Sequence, residues 1–306
     1  MKYLASFLFC FLVSSVLYGQ EFANTPSTGI QIHTKPLNEL SPIERIEDTL
    51  VYLADSMYYS QLDDNRIGGN EEFIRVLKRF LRTPGSFGSD LKKLQEKIVI
   101  LQAPDNQFRI YNWEISRGPA ERRYYGVIQS ADGSLYPLID VSDQIVRGAE
   151  DSIFTNQRWY GNLFYNILMK ESKGQKLYFL LGWNGLTLNS ERKIMDVMYA
   201  DENGKWVFGK PVFQMLDRGK AKECKRVLVE YEKGSKVALN LEKSNGQIIF
   251  DHCESQIGDP AKKYTYVPDG TYDGLKWNGS RWVMSENVVP ITILKDGEAP
   301  IEKVQK

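Results

Sequence analysis

The sequence has few of the residues from which catalytic and metal sites are usually built. Its 306 residues include two histidines and three cysteines, and its 39 Lys and Arg are balanced by 39 Asp and Glu. A neutral chain lacks the basic excess of a general nucleic-acid-binding protein. The motifs G-x-S-x-G, H-E-x-x-H, C-x-x-C and G-x-G-x-x-G do not occur. The sequence therefore predicts no cofactor, no metal site and no nucleic-acid partner.

One segment comes close to a phosphate-binding loop. Residues 204–211 read GKWVFGKP, which imitates G-x-x-x-x-G-K-[ST]. Trp206, Val207 and Phe208 favour a strand, and Pro211 replaces the hydroxyl residue that such a loop offers to magnesium. We therefore interpret the segment as part of a hairpin and not as a nucleotide site.

A single long apolar run occurs, at the start of the chain. Residues 3–18 are apolar apart from three serines, follow Lys2 and precede Gly19. The run is about sixteen residues long, shorter than the ~20 that a membrane-spanning helix needs. The pattern is typical of a signal peptide at residues 1–19. We therefore expect an exported protein, in the periplasm, associated with the outer membrane or secreted, with no transmembrane segment after cleavage.

Two cysteines, Cys224 and Cys253, remain after this cleavage, and an oxidising compartment would allow them to pair. Turn residues at 233–234 and 245–246 predict three consecutive antiparallel strands joined by two-residue turns. In that register the cysteines would lie roughly 20 Å apart, well beyond the ~7 Å that a disulfide allows between Cα atoms. The sequence therefore predicts no disulfide.

The first part of the mature chain is predicted to be helical. Residues 20–40 are polar and rich in turn residues, which indicates a flexible leader, and residues 41–97 form a helical segment. Ser41 begins a capping box and is expected to start the first helix. The glycine pair at 68–69 is expected to break the chain, with Asn70 capping a second helix.

From residue 98 to residue 285 the pattern changes to short β-rich runs separated by turn residues. Few runs are long enough for crossover helices, which favours antiparallel pairing. The predicted fold class is mainly β (α+β), with the N-terminal helices packed on an antiparallel β-meander. A barrel, a sandwich and a small propeller-like arrangement all remain open. Residues 286–306 are read as a polar tail.

Four short segments of the sequence carry a resemblance to known proteins: FRIYNWEIS at 108–116, YFLLGWNG at 178–185, IIFDHC at 248–253 and PDGTYDGLKW at 268–277. Together they resemble a family of exported proteins from Bacteroidota-type bacteria whose function is not assigned. The resemblance covers roughly residues 98–285. It implies an envelope or secreted location, and it carries no activity, cofactor or catalytic residue to transfer.

The residues that could perform acid–base chemistry lie in two short segments. His252 is the candidate imidazole, because His33 lies in the leader, but a lone histidine is more often a hydrogen-bonded core residue. Asp251 precedes it and should point to the opposite face of the strand. Asp269 and Asp273 flank the turn PDGTYDG, where Asp and Gly commonly build turns. Paired carboxylates can also catalyse glycoside hydrolysis, so these four residues are the catalytic candidates.

The ligand-binding candidates are aromatic residues near turns. Trp183 begins the bend GWNG, and a two-residue hairpin after Trp277 would place Trp282 in the core and Trp277 at the surface. Tyr272 and Asp273 neighbour Trp277 in sequence. The expected ligand-binding residues are therefore Trp183, Trp277, Tyr272 and Asp273.

The leading functional hypothesis is an exported β-rich protein with a structural, interaction or ligand-binding role in the bacterial envelope. An envelope protein or a glycan would be its partner. The alternative is a carboxylate-dependent hydrolase of an envelope polymer or glycan, which requires a cleft where acidic groups converge.

Overall fold

The computed structural model describes residues 39–289, apart from residues 119, 120, 146, 186 and 218. The chain divides into two units, residues 1–40 and residues 41–306, and the helices and strands named here lie in the second. The predicted signal peptide, His33 and almost all of the predicted leader lie outside the described residues, as does the tail beyond residue 289.

The helices come first: α1 (Pro42–Tyr59), α2 (Asp63–Leu81) and α3 (Lys92–Gln95). The strands follow: β1 (Val99–Gln102), β2 (Phe108–Ser116), β3 (Arg122–Ser130), β4 (Leu135–Ile139), β5 (Phe154–Thr155), β6 (Leu163–Ser172), β7 (Gln175–Asn184), β8 (Ser190–Ala200), β9 (Trp206–Phe208), β10 (Phe213–Asp217), β11 (Lys220–Cys224), β12 (Val227–Glu232), β13 (Leu239–Glu242), β14 (Gln247–Ser255), β15 (Tyr266–Trp277) and β16 (Trp282–Ser285).

The strands of the described residues form three open sheets. Sheet 1 has the order β1-β2-β3-β4, and sheet 2 has the order β5-β9-β8-β7-β6, with β12 also paired to β8. Sheet 3 has the order β11-β10-β16-β15-β14-β13. Within the described part of the chain, the pairing of β10 with β16 is the one parallel contact between these strands. The predicted fold class is confirmed: the protein is mainly β and its pairing is mainly antiparallel.

The helices and the three sheets are stacked as layers. Alternate residues of a strand point to opposite faces, so one strand can pack against two different layers. In β2, Trp113 packs with the helices, whereas Ile110 packs toward sheet 2. In β7, Leu180 faces the sheet-1 side and Phe179 faces sheet 3. The central strand β7 is therefore buried on both faces, which explains its nearly continuous apolar sequence.

Polar contacts tie the helices to each other and to sheet 1. The Nε1 of Trp113 donates to Oδ1 of the buried Asn70 in α2 at 2.7 Å. The carboxylate of Glu47 in α1 accepts hydrogen bonds from the backbone N–H groups of Lys93 and Leu94 at the start of α3. Together with the shared apolar cluster, these bonds confirm that the N-terminal helices pack on the β part of the chain.

The first helix begins as predicted, but the predicted break at 68–69 is wrong. The capping box of Ser41 is present, whereas α2 starts at Asp63 and runs straight through both glycines. A Cβ at Gly69 would lie 3.1 Å from Oγ of Ser56 and 3.2 Å from the backbone nitrogen of Met57. The glycine therefore allows α1 and α2 to approach closely, and it does not end the helix.

The predicted hairpin at 233–234 is also wrong. Strand β12 pairs with β8 in sheet 2, whereas β13 pairs with β14 in sheet 3. The segment between them passes from one sheet to the other, where the backbone N–H of Ala238 donates to Oδ2 of Asp251 at 2.6 Å. The first half of β8 offers an unpaired edge beyond the end of β9, and β12 fills it. This distant pairing overrides the local turn signal.

Two-residue turns at 245–246 and 278–279 would pair Leu239 with His252 and Leu275 with Trp282. In the structure, Leu239 pairs with Phe250 and Trp277 pairs with Trp282. Both registers are shifted by two residues, because the loops at 243–246 and 278–281 contain four residues. In the second loop, the side-chain oxygen of an asparagine accepts two backbone N–H bonds and widens the turn.

Both cysteines, Cys224 and Cys253, are free, in agreement with the sequence-based expectation. The hairpin from which their separation was estimated does not form, because β12 and β13 belong to different sheets. Both residues instead line one cleft.

A fully buried ion pair holds β12 in place. Arg226 binds both carboxylate oxygens of Asp196 in β8, at 2.9 and 3.2 Å, and neither side chain is exposed. The guanidinium also donates to the backbone carbonyls of Ala149 and Ser152, and it lies 4.7 Å from the ring centroid of Phe154. The pair therefore joins β8, β12 and the segment that leads into β5.

We expect Arg226→Met to lower the free energy of unfolding by about 3–5 kcal/mol, because it leaves the charge of Asp196 buried without a partner. Urea unfolding followed by tryptophan fluorescence measures this loss. Arg75→Met, which removes an exposed ion pair with Glu72 on α2, should change the stability by less than about 0.5 kcal/mol. The double variant Arg226→Met/Asp196→Leu should recover part of the loss. A single Arg226→Met variant as stable as the control would contradict this account.

Candidate functional site

An open cleft of about 750 Å³ lies between sheets 2 and 3. Strand β12 and Arg192 of β8 form its sheet-2 side, and strands β10, β14 and β15 contribute to the sheet-3 side. His252 and Asp273 both line it, and we call it the histidine cleft. Three of the sequence-based catalytic candidates, Asp251, His252 and Asp273, thus share one concave surface.

An irregularity in the pairing of β14 and β15 shapes this site. The two strands are paired on both sides of it, by Asp251↔Tyr272 and Cys253↔Pro268. Between these pairs, His252 alone on β14 faces residues 269–271 on β15. Gly270 adopts a φ of +91°, and Oδ1 of Asp269 accepts hydrogen bonds from the backbone and hydroxyl of Thr271. The bulge therefore holds a carboxylate next to the imidazole.

Three carboxylates surround the imidazole of His252. Its Nδ1 lies 2.8 Å from Oδ2 of Asp273, whose side chain is only 3% exposed, and its Nε2 lies 3.8 Å from Oε1 of Glu254. One donor atom from each of His252, Glu254 and Asp269 lies within 4.8 Å of the other two. The structure thus brings together the predicted residues His252, Asp269 and Asp273. Glu254 was not predicted, although alternation along β14 places it on the same face as His252.

The surroundings shift two pKa values in opposite directions. Burial lowers the pKa of His252, but the hydrogen bond to Asp273 and the negative charges around the ring outweigh it, so the pKa lies above its usual value. Burial raises the pKa of Asp269, but the hydrogen bonds from Thr271 outweigh it, so that pKa lies below its usual value. Asp269 is therefore ionised at neutral pH, and the imidazole holds its proton to a higher pH than usual.

The remaining catalytic candidate, Asp251, makes a hydrogen bond that supports the fold. Asp251 is 8% exposed, and its carboxylate accepts the hydrogen bond from the backbone of Ala238. It therefore anchors the segment that crosses between sheets 2 and 3, and the imidazole of His252 is oriented by Asp273 instead.

A second, shallow cavity of about 520 Å³ brings two ligand-binding candidates together. Trp183 of β7 and Tyr272 of β15 both line it, with Tyr231 of β12. The carboxylate of Glu191 accepts hydrogen bonds from Nε1 of Trp183, at 3.2 Å, and from the hydroxyl of Tyr231, at 3.4 Å. Lys193 completes this group, and burial lowers its pKa. We call this surface the aromatic cavity.

The remaining ligand-binding candidates lie elsewhere. Trp277 was expected at the surface, but its ring packs 5.6 Å from the rings of both Phe179 and Trp282 in the cluster between sheets 2 and 3. Asp273 lines the histidine cleft and not the aromatic cavity. Glu191 and Tyr231 were missed by sequence reasoning, because no short motif marks them and only the β8–β12 pairing brings them together.

Comparisons with known proteins give no relative. No protein-family model, curated protein or solved structure matches the chain. Within the part of the chain that the structure describes, no helix is both long and apolar enough to cross a membrane.

We expect the pKa of His252, followed by NMR of its imidazole, to lie above about 6.5. It should fall in Asp273→Asn, because this variant removes the carboxylate charge next to Nδ1. Because the folded-state pKa is raised, the stabilisation is complete below the unfolded-state value of about 6.5. It is lost as the pH rises through the folded-state pKa. Asp217→Asn, an exposed carboxylate of the same cleft, serves as the control and should leave the pKa unchanged. Equal pKa values in the wild type and Asp273→Asn would contradict the assignment.

Proposed function

We propose that this protein is exported and binds a polyhydroxyl ligand of the saccharide type at the aromatic cavity. One observation carries the proposal: Trp183 and Tyr272 come from two different sheets and line one open surface around the carboxylate of Glu191, which the buried Tyr231 also contacts. Aromatic rings offer flat apolar faces to the C–H groups of a sugar ring.

The polar groups of the cavity suit the same ligand. Glu191 supplies acceptor oxygens and Lys193 supplies N–H donors, which together match sugar hydroxyls. The hydrogen bond to Glu191 restrains the indole of Trp183, and the guanidinium of Arg122 lies 5.1 Å from its centroid. Arg122 is itself paired with Glu114. A ring that is already held in place loses little conformational freedom when a ligand binds.

The location belongs to the same proposal. The signal-peptide pattern at residues 1–19 supports export, and the resemblance of residues 98–285 to exported Bacteroidota-type proteins supports an envelope or secreted location. A glycan of the cell envelope is therefore the ligand class that fits both the cavity and the expected compartment.

We expect Trp183→Ala and Tyr272→Ala each to weaken binding of an envelope glycan by about tenfold, because a lost ring contact of about 1.4 kcal/mol is a factor of ten in affinity. Isothermal titration against a panel of envelope glycan fragments measures the change. Tyr52→Ala, which removes an exposed tyrosine of α1, is the matched control and should bind like the wild type. Binding that is unchanged in both cavity variants, or absent for every fragment, would reject the proposal.

The histidine cleft supports a second candidate function, hydrolysis of an envelope polymer or glycan. The observation in its favour is that Asp269 and Asp273 both lie next to His252, and that His252 and Asp273 line an open cleft. Asp269 is ionised at neutral pH, so its carboxylate can accept a proton from the attacking water as a general base. The protonated imidazole of His252 suits the general acid that returns a proton to the leaving oxygen.

This candidate predicts that Asp269→Asn lowers kcat at least about 100-fold on the polymer that the wild type cleaves. Release of reducing ends from purified envelope polysaccharides measures it, and Asp217→Asn should keep full activity. Absence of cleavage by the wild type across the panel, together with glycan binding at the aromatic cavity, would leave only the binding function.

A further inference from the structure

Three side chains with metal-ligating atoms converge at His252, which itself lines the histidine cleft. His252 and Glu254 both come from β14, and Asp269 comes from the bulge of β15. One donor atom of each lies within 4.8 Å of the other two. The sequence analysis missed this combination of one imidazole and two carboxylates. A count of histidines and cysteines cannot show that a β-bulge brings Asp269 next to His252.

A buried carboxylate sets the orientation of the imidazole. The carboxylate of Asp273 can only accept a hydrogen bond from Nδ1 of His252, so Nδ1 carries the hydrogen. The lone pair of the neutral ring then lies on Nε2, on the side of Glu254. Asp273 is itself held by the backbone N–H of Asn287 at 3.3 Å. A carboxylate that accepts from the non-ligating nitrogen is the usual support of a metal-bound histidine.

We propose that His252, Glu254 and Asp269 bind a divalent transition-metal ion of the Zn²⁺ type, with Asp273 as the positioning residue behind the imidazole. Ca²⁺ and Mg²⁺ favour all-oxygen sites, whereas an imidazole with carboxylates suits Zn²⁺ and its neighbours. The two carboxylates balance the charge of the ion. Three protein ligands leave at least one coordination position open to the cleft, as in metal sites that bind a water or a substrate.

The geometry requires only a small closure of the cluster. Bonds of about 2.0–2.2 Å to Zn²⁺ bring tetrahedral ligand atoms to roughly 3.4 Å from one another. Glu254 is 70% exposed and can move freely, whereas Asp273 and the bulge hold His252 and Asp269. The site goes beyond the proposed saccharide binding, because it lies in the other cavity and uses none of its aromatic residues.

Titration of the metal-free chain with ZnCl₂ by isothermal calorimetry tests the site. We expect one ion per chain, and at least a tenfold loss of affinity in each of His252→Ala, Glu254→Gln and Asp269→Asn. Asp273→Asn should weaken binding by about 10–100-fold, because it removes only the support of the imidazole. Asp217→Asn in the same cleft is the matched control and should bind like the wild type.

Two further variants identify the ligands and separate this proposal from the others. Cys253 lies between two of the proposed ligands in sequence but does not belong to the three-residue cluster, so Cys253→Ser should keep the affinity for Zn²⁺. Trp183→Ala should also keep it, whatever its effect on glycan binding. Far-UV circular dichroism confirms that each variant is folded, and the absorption of bound Co²⁺ reports the coordination in the wild type. Wild-type affinity in a folded His252→Ala variant, or equal losses in Asp217→Asn, would overturn the proposal.

Discussion

The buried contact between Arg226 and Asp196 is the constraint on which both cavities depend. It fixes the start of β12 against β8, so that β12 occupies the free edge of sheet 2. The chain must then cross to sheet 3 before β13 can form. This crossing leaves Tyr231 beside the aromatic cavity and leaves β12 as one wall of the histidine cleft. A charge pair with no exposure is costly to bury, and here it determines how two sheets meet.

The histidine cleft also depends on a local departure from regular pairing. In a regular hairpin of β14 and β15, residues on the two strands would oppose each other one by one. Three residues of β15 instead face His252, and a glycine with positive φ allows the backbone to turn there. The bulge places the charged side chain of Asp269 beside the imidazole, as bulges beside functional sites commonly do.

The sequence predicted what depends on neighbours in the chain and failed where distant contacts decide. The capping box of Ser41 was correct, because a helix cap is a local signal. Gly69 was read as a helix breaker, although its role is the close approach of α1, which no local pattern shows. For the site, His252, Asp269 and Asp273 could be chosen by residue type, but their convergence depends on the bulge.

The two cavities are connected through adjacent residues of β15. Alternation sends neighbouring side chains of a strand to opposite faces, so Tyr272 lines the aromatic cavity while Asp273 lines the histidine cleft. The same division holds on β14, where Asp251 borders both cavities and His252 borders one. One stretch of paired strands, β14 and β15, thus supplies residues to both sites.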